Sequence, residues 1–501
     1  MNNNQSKPLM FLGAGSDVGK SIAVTAFCRI FKRRGFNVAP FKAQNMSNNS
    51  YVTIEGGEIG RAQVVQAEAC GLLPSVDMNP ILLKPTNALG SQIILQGKIF
   101  NQMDAADYHD FKPGLRKAVM DSYGRLAAKH DLIIMEGAGS CCEMNLKDND
   151  LVNFPMALAV KASCILVADI DRGGVFAQII GTYNLMNKRE KALTIGFLIN
   201  KFRGDPCLFE SGIDYIEKKT GKPVLGLVPF YRDIIIESED SVAVQEDRLT
   251  PMPTDPSMVN IAVLRLPAIS NFTDIQALLH EKDVTVNYLS RPETLVSAYD
   301  CLIIPGTKNV MEDAAWVADL GWTSAIKRFA RRKMVFGICG GYQLLGGKIM
   351  DPYGVESDRK EIDGIGLLPV ETVLEKQKIV RKVIGLCISN GRRIEGYEIH
   401  MGQSRILDKN CKPFLKIHEP GKDDWWMDGC SARYGHIAGS YVHGILDMPG
   451  FRTVILNAVR RSKGLKETSP RRGRHSRPDQ YDLLADHFEK NCNVDRIISY
   501  I

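Results

Sequence analysis

Cys339 stands in Phe336-Gly-Ile-Cys-Gly-Gly-Tyr-Gln343, a setting suited to nucleophilic chemistry. Met334, Val335 and Phe336 read as a buried strand, and Tyr342 to Leu345 as the start of a helix. Glycines at 337, 340 and 341 allow backbone angles that a Cβ would forbid. A strand-to-helix elbow of this kind projects its nucleophile and aims nearby backbone N–H groups at an oxyanion. A second segment, Gly439-Ser-Tyr-Val-His-Gly444, puts His443 at a strand end, where it can act as the base. The chemistry of such a pair is attack on a carboxamide, as in glutamine hydrolysis, by way of a thioester. A lone buried cysteine is more often core than catalyst, but the glycines flanking Cys339 waste packing unless an elbow is needed.

A second chemistry is written near the start. Gly13-Ala-Gly-Ser-Asp-Val-Gly-Lys-Ser21 follows an apolar strand and precedes a helix rich in Ala, Ile and Phe. Backbone N–H groups of such a loop cradle phosphate oxygens; Lys20 can reach the β- and γ-phosphates and Ser21 can ligate Mg²⁺. Gly13, Gly19, Lys20, Ser21 and Lys42 are therefore the candidate ATP residues, and Ser21 and Glu136 the candidate metal ligands. The pattern departs from G-x-x-x-x-G-K-[ST], since Ala14 holds the first glycine's place and Gly13 stands one residue earlier. That variant resembles the loop of dethiobiotin synthetase-like ATPases. Lys42, Glu136, Asp169 and Asp171 all close predicted strands, where open α/β sheets bind ligands.

These motifs need scaffolds. Apolar runs at 9–13, 38–42, 132–135, 165–168, 194–199 and 224–228 are continuous, not alternating, as in strands buried on both faces of a parallel sheet. Leu249–Pro256 carries three prolines and reads as a linker. A second α/β pattern follows, with strands expected at 260–265, 284–288, 301–304 and 334–336. The expected domains are 1–250 with the phosphate loop, 257–450 with the cysteine elbow, and a helical, basic tail at 451–501.

Composition limits the function classes. With 501 residues, 45% hydrophobic and 24% charged, the chain is that of an ordinary multidomain globular protein. The net charge of +6 is a small excess, and eight Lys/Arg with one acid, Glu467, fall between Arg460 and Arg477. Such a run is most often a solvated face, and without interleaved aromatics it gives no nucleic-acid signature. Twelve cysteines without a C-x-x-C pair fit neither a disulfide scaffold nor a zinc site. The polar start and the lack of a long apolar run lead to the expectation of a cytoplasmic protein with no membrane partner.

The motifs together resemble the cobyric acid synthase family of glutamine-dependent amidases in cobalamin biosynthesis. The resemblance rests on Phe41-Lys-Ala-Gln-Asn-Met-Ser-Asn-Asn-Ser50, Glu136-Gly-Ala-Gly-Ser140 with Asp150-Leu-Val-Asn153, and Ala168-Asp-Ile-Asp-Arg-Gly-Gly-Val-Phe-Ala177. Asn200-Lys-Phe-Arg-Gly-Asp205, Pro305-Gly306, Gly396-Tyr-Glu-Ile-His-Met-Gly402 and Tyr441-Val-His-Gly444 extend it to about residue 450. It implies a P-loop NTPase-like, dethiobiotin synthetase-like parallel-sheet domain followed by a class I glutamine amidotransferase-like α/β domain. It also implies four amidations of adenosylcobyrinic acid a,c-diamide, at carboxylates b, d, e and g, each using one glutamine and one ATP with Mg²⁺, and no tightly bound prosthetic group. The oxyanion would be held near Gly306 and Gly340.

The chain departs from the family pattern at Cys141-Cys142, at Ala14-Gly15, at Thr307 and in the basic tail. Amidotransferases of this class often carry an acid two residues after the histidine, but Ile445 occupies that position. Glu398, His400 and Asp447 are the candidates to orient His443. Other readings are a cobyrinic acid a,c-diamide synthase, a P-loop switch of the chromosome-partitioning type, and an RNA-binding protein. Phe41–Ser50 argues against the first, the elbow against the second, and both motif sets against the third.

Overall fold

Leu9, Met10, Phe11 and Leu12 are each at most 1% exposed, so both faces of the strand that leads into the phosphate loop are covered. This strand, β1 (Lys7–Gly13), lies inside a six-stranded parallel sheet. Its companions are β2 (Val38–Phe41), β3 (Leu132–Glu136), β4 (Ser163–Asp169), β5 (Thr194–Phe202) and β6 (Val224–Pro229), in the order β6-β5-β4-β1-β3-β2. Helix α1 (Lys20–Arg33) follows β1 and buries Ala23, Ala26, Phe27, Ile30 and Phe31, the one-sided spacing of a helix on a sheet. The computed structural model describes residues 7–85, 90–104, 107–108, 111–231, 233–234, 236–237, 254–408, 411–470 and 477–501.

The chain forms two compact units. The first comprises residues 1–47, 58–237 and 474–501. Beside its parallel sheet is a four-stranded sheet, Gln44–Met46, Ile81–Pro85, Gly90–Leu95 and Lys98–Asp104. Sequence reading passes over these strands because they are short, and Lys98–Asp104, although it carries Ile99, Phe100 and Met103, is exposed and shows no apolar alternation. The helix Arg477–Asn491 buries Tyr481, Leu484, Ala485 and Phe488 in the same apolar cluster as α1. Phe488 meets Phe27 edge-on at 6.3 Å, and Arg29 forms a two-pronged pair with Asp482 at 2.7–2.8 Å.

The second unit comprises residues 48–57 and 238–473. Its parallel sheet has β7 (Val259–Leu264), β8 (Val284–Leu289), β9 (Cys301–Ile304), β10 (Met334–Ile338) and β12 (Ile437–Ser440). The order is β8-β7-β9-β10-β12, with the antiparallel strand Cys430–Ala432 at the edge beyond β12. Between β10 and β12 the chain builds a mostly antiparallel sheet around β11 (Val370–Cys387) and its partner Arg393–Ile406. Sequence reading gave no strands there: β11 alternates buried and half-exposed positions and carries six charged residues, the pattern of a sheet with one wet face.

The division differs from the expected domain boundaries in two ways. Asn48–Gly57, early in the sequence, belongs to the second unit. The residues from 451 onward do not form one tail, because the helix Pro449–Ser462 packs in the second unit and Arg477–Asn491 in the first. Of the proposed linker, 249–253 lie outside the described residues, and 254–256 are in neither helix nor strand.

The basic run is not simply a solvated face. Arg460 is fully buried and pairs with Asp283 through two bonds of 2.7 and 2.8 Å, and Lys463 reaches Asp300 at 2.8 Å. Arg460→Ala should therefore remove the bonds to Asp283, Asn457 and Thr468, empty a fully buried site and cost on the order of 3 kcal/mol. Chemical denaturation followed by tryptophan fluorescence checks this.

Candidate active site

Glu136 is a heavily engaged carboxylate of the first unit. It ends β3, is 1% exposed, and accepts from the Lys42 ammonium at 2.8 Å and the Ser21 hydroxyl at 2.8 Å through Oε1. Gln66 donates to Oε2 at 2.5 Å. Burial alone would raise its pKa; the Lys42 charge and the bonds from Lys42, Gln66 and Ser21 outweigh burial and hold it below the usual carboxylate range. Glu136 is thus an anion at neutral pH, beside a hydroxyl and an ammonium.

The loop after β1 brings the remaining expected residues to the same place. Lys20 Nζ donates to the carbonyls of Gly15 at 3.2 Å and Gly139 at 2.9 Å, so the ammonium curls over the loop. A Cβ on Gly13 would come within 2.8 Å of that Nζ. Gly19 has φ +94°, and a Cβ there would meet the Asn200 amide at 2.1 Å. Only glycine serves at this position. The Asn200 amide donates to Val18 O at 3.0 Å and so braces the loop from β5. Asn200 and Gln66 were not among the candidate residues, although Asn200 begins one of the quoted motifs.

Asp169 and Asp171 occupy strand-end positions, as expected, but each is already matched. Asp169 pairs with Lys201 at 2.8 Å, and Lys201 also donates to Asp17 O at 2.7 Å. Asp171 pairs with Arg203. The unusual Cys141 and Cys142 are buried thiols whose sulfurs lie 3.9 Å apart. The Cys141 N–H donates to Gly13 O at 2.9 Å, so the loop is tied to β1 through backbone that does not depend on the side chain.

In the second unit Cys339 sits between β10 and the short helix Gly340–Leu345, with φ +53° and ψ −109°. That combination is strained for a residue with a Cβ, as in a nucleophile elbow. Its N–H donates to Ser440 O at 2.8 Å and its thiol to Ile399 O at 3.6 Å, and it is 6% exposed. The site of a Cβ on Gly306 lies 3.0 Å from the His443 ring, and that of Gly340 lies 2.9 Å from the Thr307 backbone nitrogen. The structure thus brings Cys339, His443, Gly306 and Gly340 together.

Asp274 was not foreseen. Its Oδ2 lies 2.7 Å from His443 Nδ1, and its Oδ1 accepts from the Gly444 N–H at 2.7 Å. Sequence reading proposed Glu398, His400 or Asp447 as the partner of His443. Glu398 is instead held by Arg381, and His400 lies against the Tyr441 ring with Nδ1 on Gly402 O at 2.7 Å. Asp447 follows His443 in a short turn, Ile445–Asp447. Asp274 is 169 positions from His443 in sequence, so no local spacing could have exposed the pair.

Burial alone would lower the pKa of His443. The charges of Asp274 and of the Cys339 sulfur, with hydrogen bonds to both, override burial and raise it from 6.5 to about 10. The ring also stacks on Tyr397 at 5.4 Å, and the two residues exchange backbone N–H···O bonds of 2.8 and 3.1 Å. The imidazole is therefore fixed in orientation and holds its proton across the physiological range. A proton donor beside a sulfur nucleophile is what expulsion of an amine requires.

Residues 9–242 match the model of the CobQ/CobB/MinD/ParA nucleotide binding domain, and residues 260–451 that of the CobB/CobQ-like glutamine amidotransferase domain. The chain is 45% identical to the cobyric acid synthase of Syntrophobacter fumaroxidans, over 98% of both chains. It is 44% identical to that of Chlorobaculum tepidum over 98% of this chain and 97% of the relative, and 44% identical to that of Clostridium botulinum over 98% and 99%. Together these similarities span the phosphate loop, the cysteine elbow and both units, and the chain belongs to the cobyric acid synthase family of glutamine-dependent amidoligases.

Proposed function

We propose that the protein amidates carboxylates b, d, e and g of adenosylcobyrinic acid a,c-diamide, using ammonia released from glutamine and ATP as activator. The observation that carries the glutaminase half is the Cys339–His443–Asp274 constellation, with the histidine proton held to about pH 10. Cys339 Sγ attacks the carboxamide carbon of glutamine, and the oxyanion forms near Gly306 and Gly340. His443 gives its proton to the departing nitrogen, the C–N bond breaks, and ammonia leaves while the acyl group stays on Cys339 as a thioester. His443 then takes a proton from water as that water attacks the thioester, and glutamate departs with the thiolate restored.

Carboxylates do not react with ammonia at neutral pH, so the acceptor is activated as an acyl phosphate. Lys20 and Lys42 are placed to neutralise charge on the transferring phosphoryl group, and positioning is the larger part of such catalysis. Ser21 Oγ and Glu136 Oε1, 2.8 Å apart, are hard oxygen donors of the kind Mg²⁺ takes beside nucleotide phosphates. Held by Ser21 and Glu136, the ion would supply positive charge that stabilises the transferring phosphoryl group. Ammonia then attacks the acyl carbon, and phosphate leaves.

Consumption measurements test this reading. Addition of adenosylcobyrinic acid a,c-diamide to enzyme, glutamine and Mg-ATP should release ADP and glutamate in equal amounts, one of each per new amide. Turnover of ATP that ignores the corrinoid would refute it.

Asp274→Asn should lower glutaminase kcat by roughly 10²–10⁴-fold, as losing the orienting acid does in related triads. The sign of the accompanying pH effect follows from the causes of the shift. Without the Asp274 charge, burial of His443 gains weight and its pKa falls, so the imidazolium is lost at lower pH. The alkaline limb of kcat/KM, near pH 10 in the parent, should move down in the variant. A pH profile of glutamate release reads both effects.

A further inference from the structure

The turn Phe272–Ile275 carries Asp274, and it is not capped by its own preceding residue. Asn271, with φ +50° and 3% exposure, directs no side-chain bond into the turn. Its Oδ1 instead accepts from the Ser50 N–H at 2.9 Å. In exchange, Asn49 Oδ1 accepts from the Phe272 N–H at 3.2 Å, a donor at the start of the turn that has no partner inside it. The side-chain oxygen of each asparagine thus accepts from the backbone N–H of the residue that follows the other.

The same segment also reaches the opposite side of His443. Tyr397, which stacks on the His443 ring, donates its hydroxyl to Ser50 O at 3.2 Å and meets the Tyr51 ring edge-on at 4.8 Å. Val52 packs with Tyr397 and Ile399, and Ile399 O is the acceptor of the Cys339 thiol. Asn49, Ser50 and Val52 are at most 3% exposed. Asn48–Gly57 belongs to the second unit, yet it follows Lys42 closely in the chain.

We infer that Asn49 is a positioning residue for glutamine hydrolysis, capping the Phe272–Ile275 turn so that Asp274 meets His443 in the reactive geometry. The inference rests on the glutaminase reading of Cys339 and His443, and it means that sequence from the nucleotide-binding half supplies part of the glutaminase. Displacing a catalytic group by about 1 Å can cost 10²-fold, so Asn49→Ala in the full chain should lower glutaminase kcat by about 10- to 100-fold. The KM for glutamine should change by less than about twofold, because Asn49 acts on the histidine and not on the substrate. The alkaline limb of the pH profile should move down, as in Asp274→Asn.

A double-variant cycle separates this role from a merely structural one. In an Asp274→Asn background, Asn49→Ala should have almost no further effect, because its route to the reaction is already cut. Should the alanine variant not accumulate, Asn49→Ser, with a capping oxygen on a shorter arm, is expected between parent and alanine. Parental kcat in Asn49→Ala, an undiminished effect in the Asp274→Asn background, or an equal loss of ammonium-supported amidation would overturn the inference. Failure of the glutaminase reading looks different: glutamate release by the parent would then survive Cys339→Ala.

Discussion

Cys339→Ala is expected to abolish amidation fed by glutamine and to leave amidation fed by ammonium salts near the parental rate. On the proposed mechanism the sulfur forms the thioester, so glutaminase turnover should fall by about 10⁴-fold or more. The position is buried, at 6% exposure, but the change removes a single sulfur atom and leaves only a small cavity, so the lost packing is modest. The backbone bond from residue 339 to Ser440 O does not involve the side chain and survives the change. Steady-state assays with the two nitrogen sources, run on one preparation, give the answer. Loss of both activities would assign Cys339 a structural role and remove the glutaminase reading. Retention of glutamine-fed activity would remove its nucleophilic role.

Lys20→Ala is expected to have the complementary outcome, with amidation from both nitrogen sources failing. The Lys20 ammonium rests on the carbonyls of Gly15 and Gly139, over the loop that would cradle phosphates. On the proposed function that charge serves phosphoryl transfer irrespective of where ammonia comes from. By analogy with cationic groups in other phosphoryl-transfer sites, its loss should cost about 10³-fold or more. Glu136→Gln should act in the same direction, since it removes the anion that holds Lys42 and Ser21 together. ADP release and amide formation with saturating ammonium salts measure both variants. Substantial residual amidation in Lys20→Ala would mean that ATP is bound elsewhere.

The legible part of this protein is the part whose physics is local. Both parallel sheets showed in the sequence because strands buried on both faces are continuous apolar runs, as in Leu9–Leu12 and Cys301–Ile304. The two elbows showed because glycine is needed at Gly19 and beside Cys339, where backbone or side-chain atoms leave no room for a Cβ. Asp274 was hidden because the fold, not the spacing, brings it to His443. Gln66 was hidden for the same reason, as a polar residue in a helix that otherwise reads as ordinary. The strand pair around β11 was missed because its wet face breaks up the apolar signal. Asn48–Gly57 was assigned to the wrong neighbours by sequence order alone. Its two buried asparagine-mediated bonds tie it to the turn that carries Asp274.

Mass spectrometry of the corrinoid tests the central claim most directly. Adenosylcobyrinic acid a,c-diamide would be incubated with the protein, Mg-ATP and glutamine labelled with heavy nitrogen at the side-chain amide. Four successive acid-to-amide conversions, each carrying heavy nitrogen, are the result this account predicts. No conversion of the corrinoid while labelled ammonia is still released from glutamine would contradict it, and the acceptor carboxylate would then belong to a different molecule.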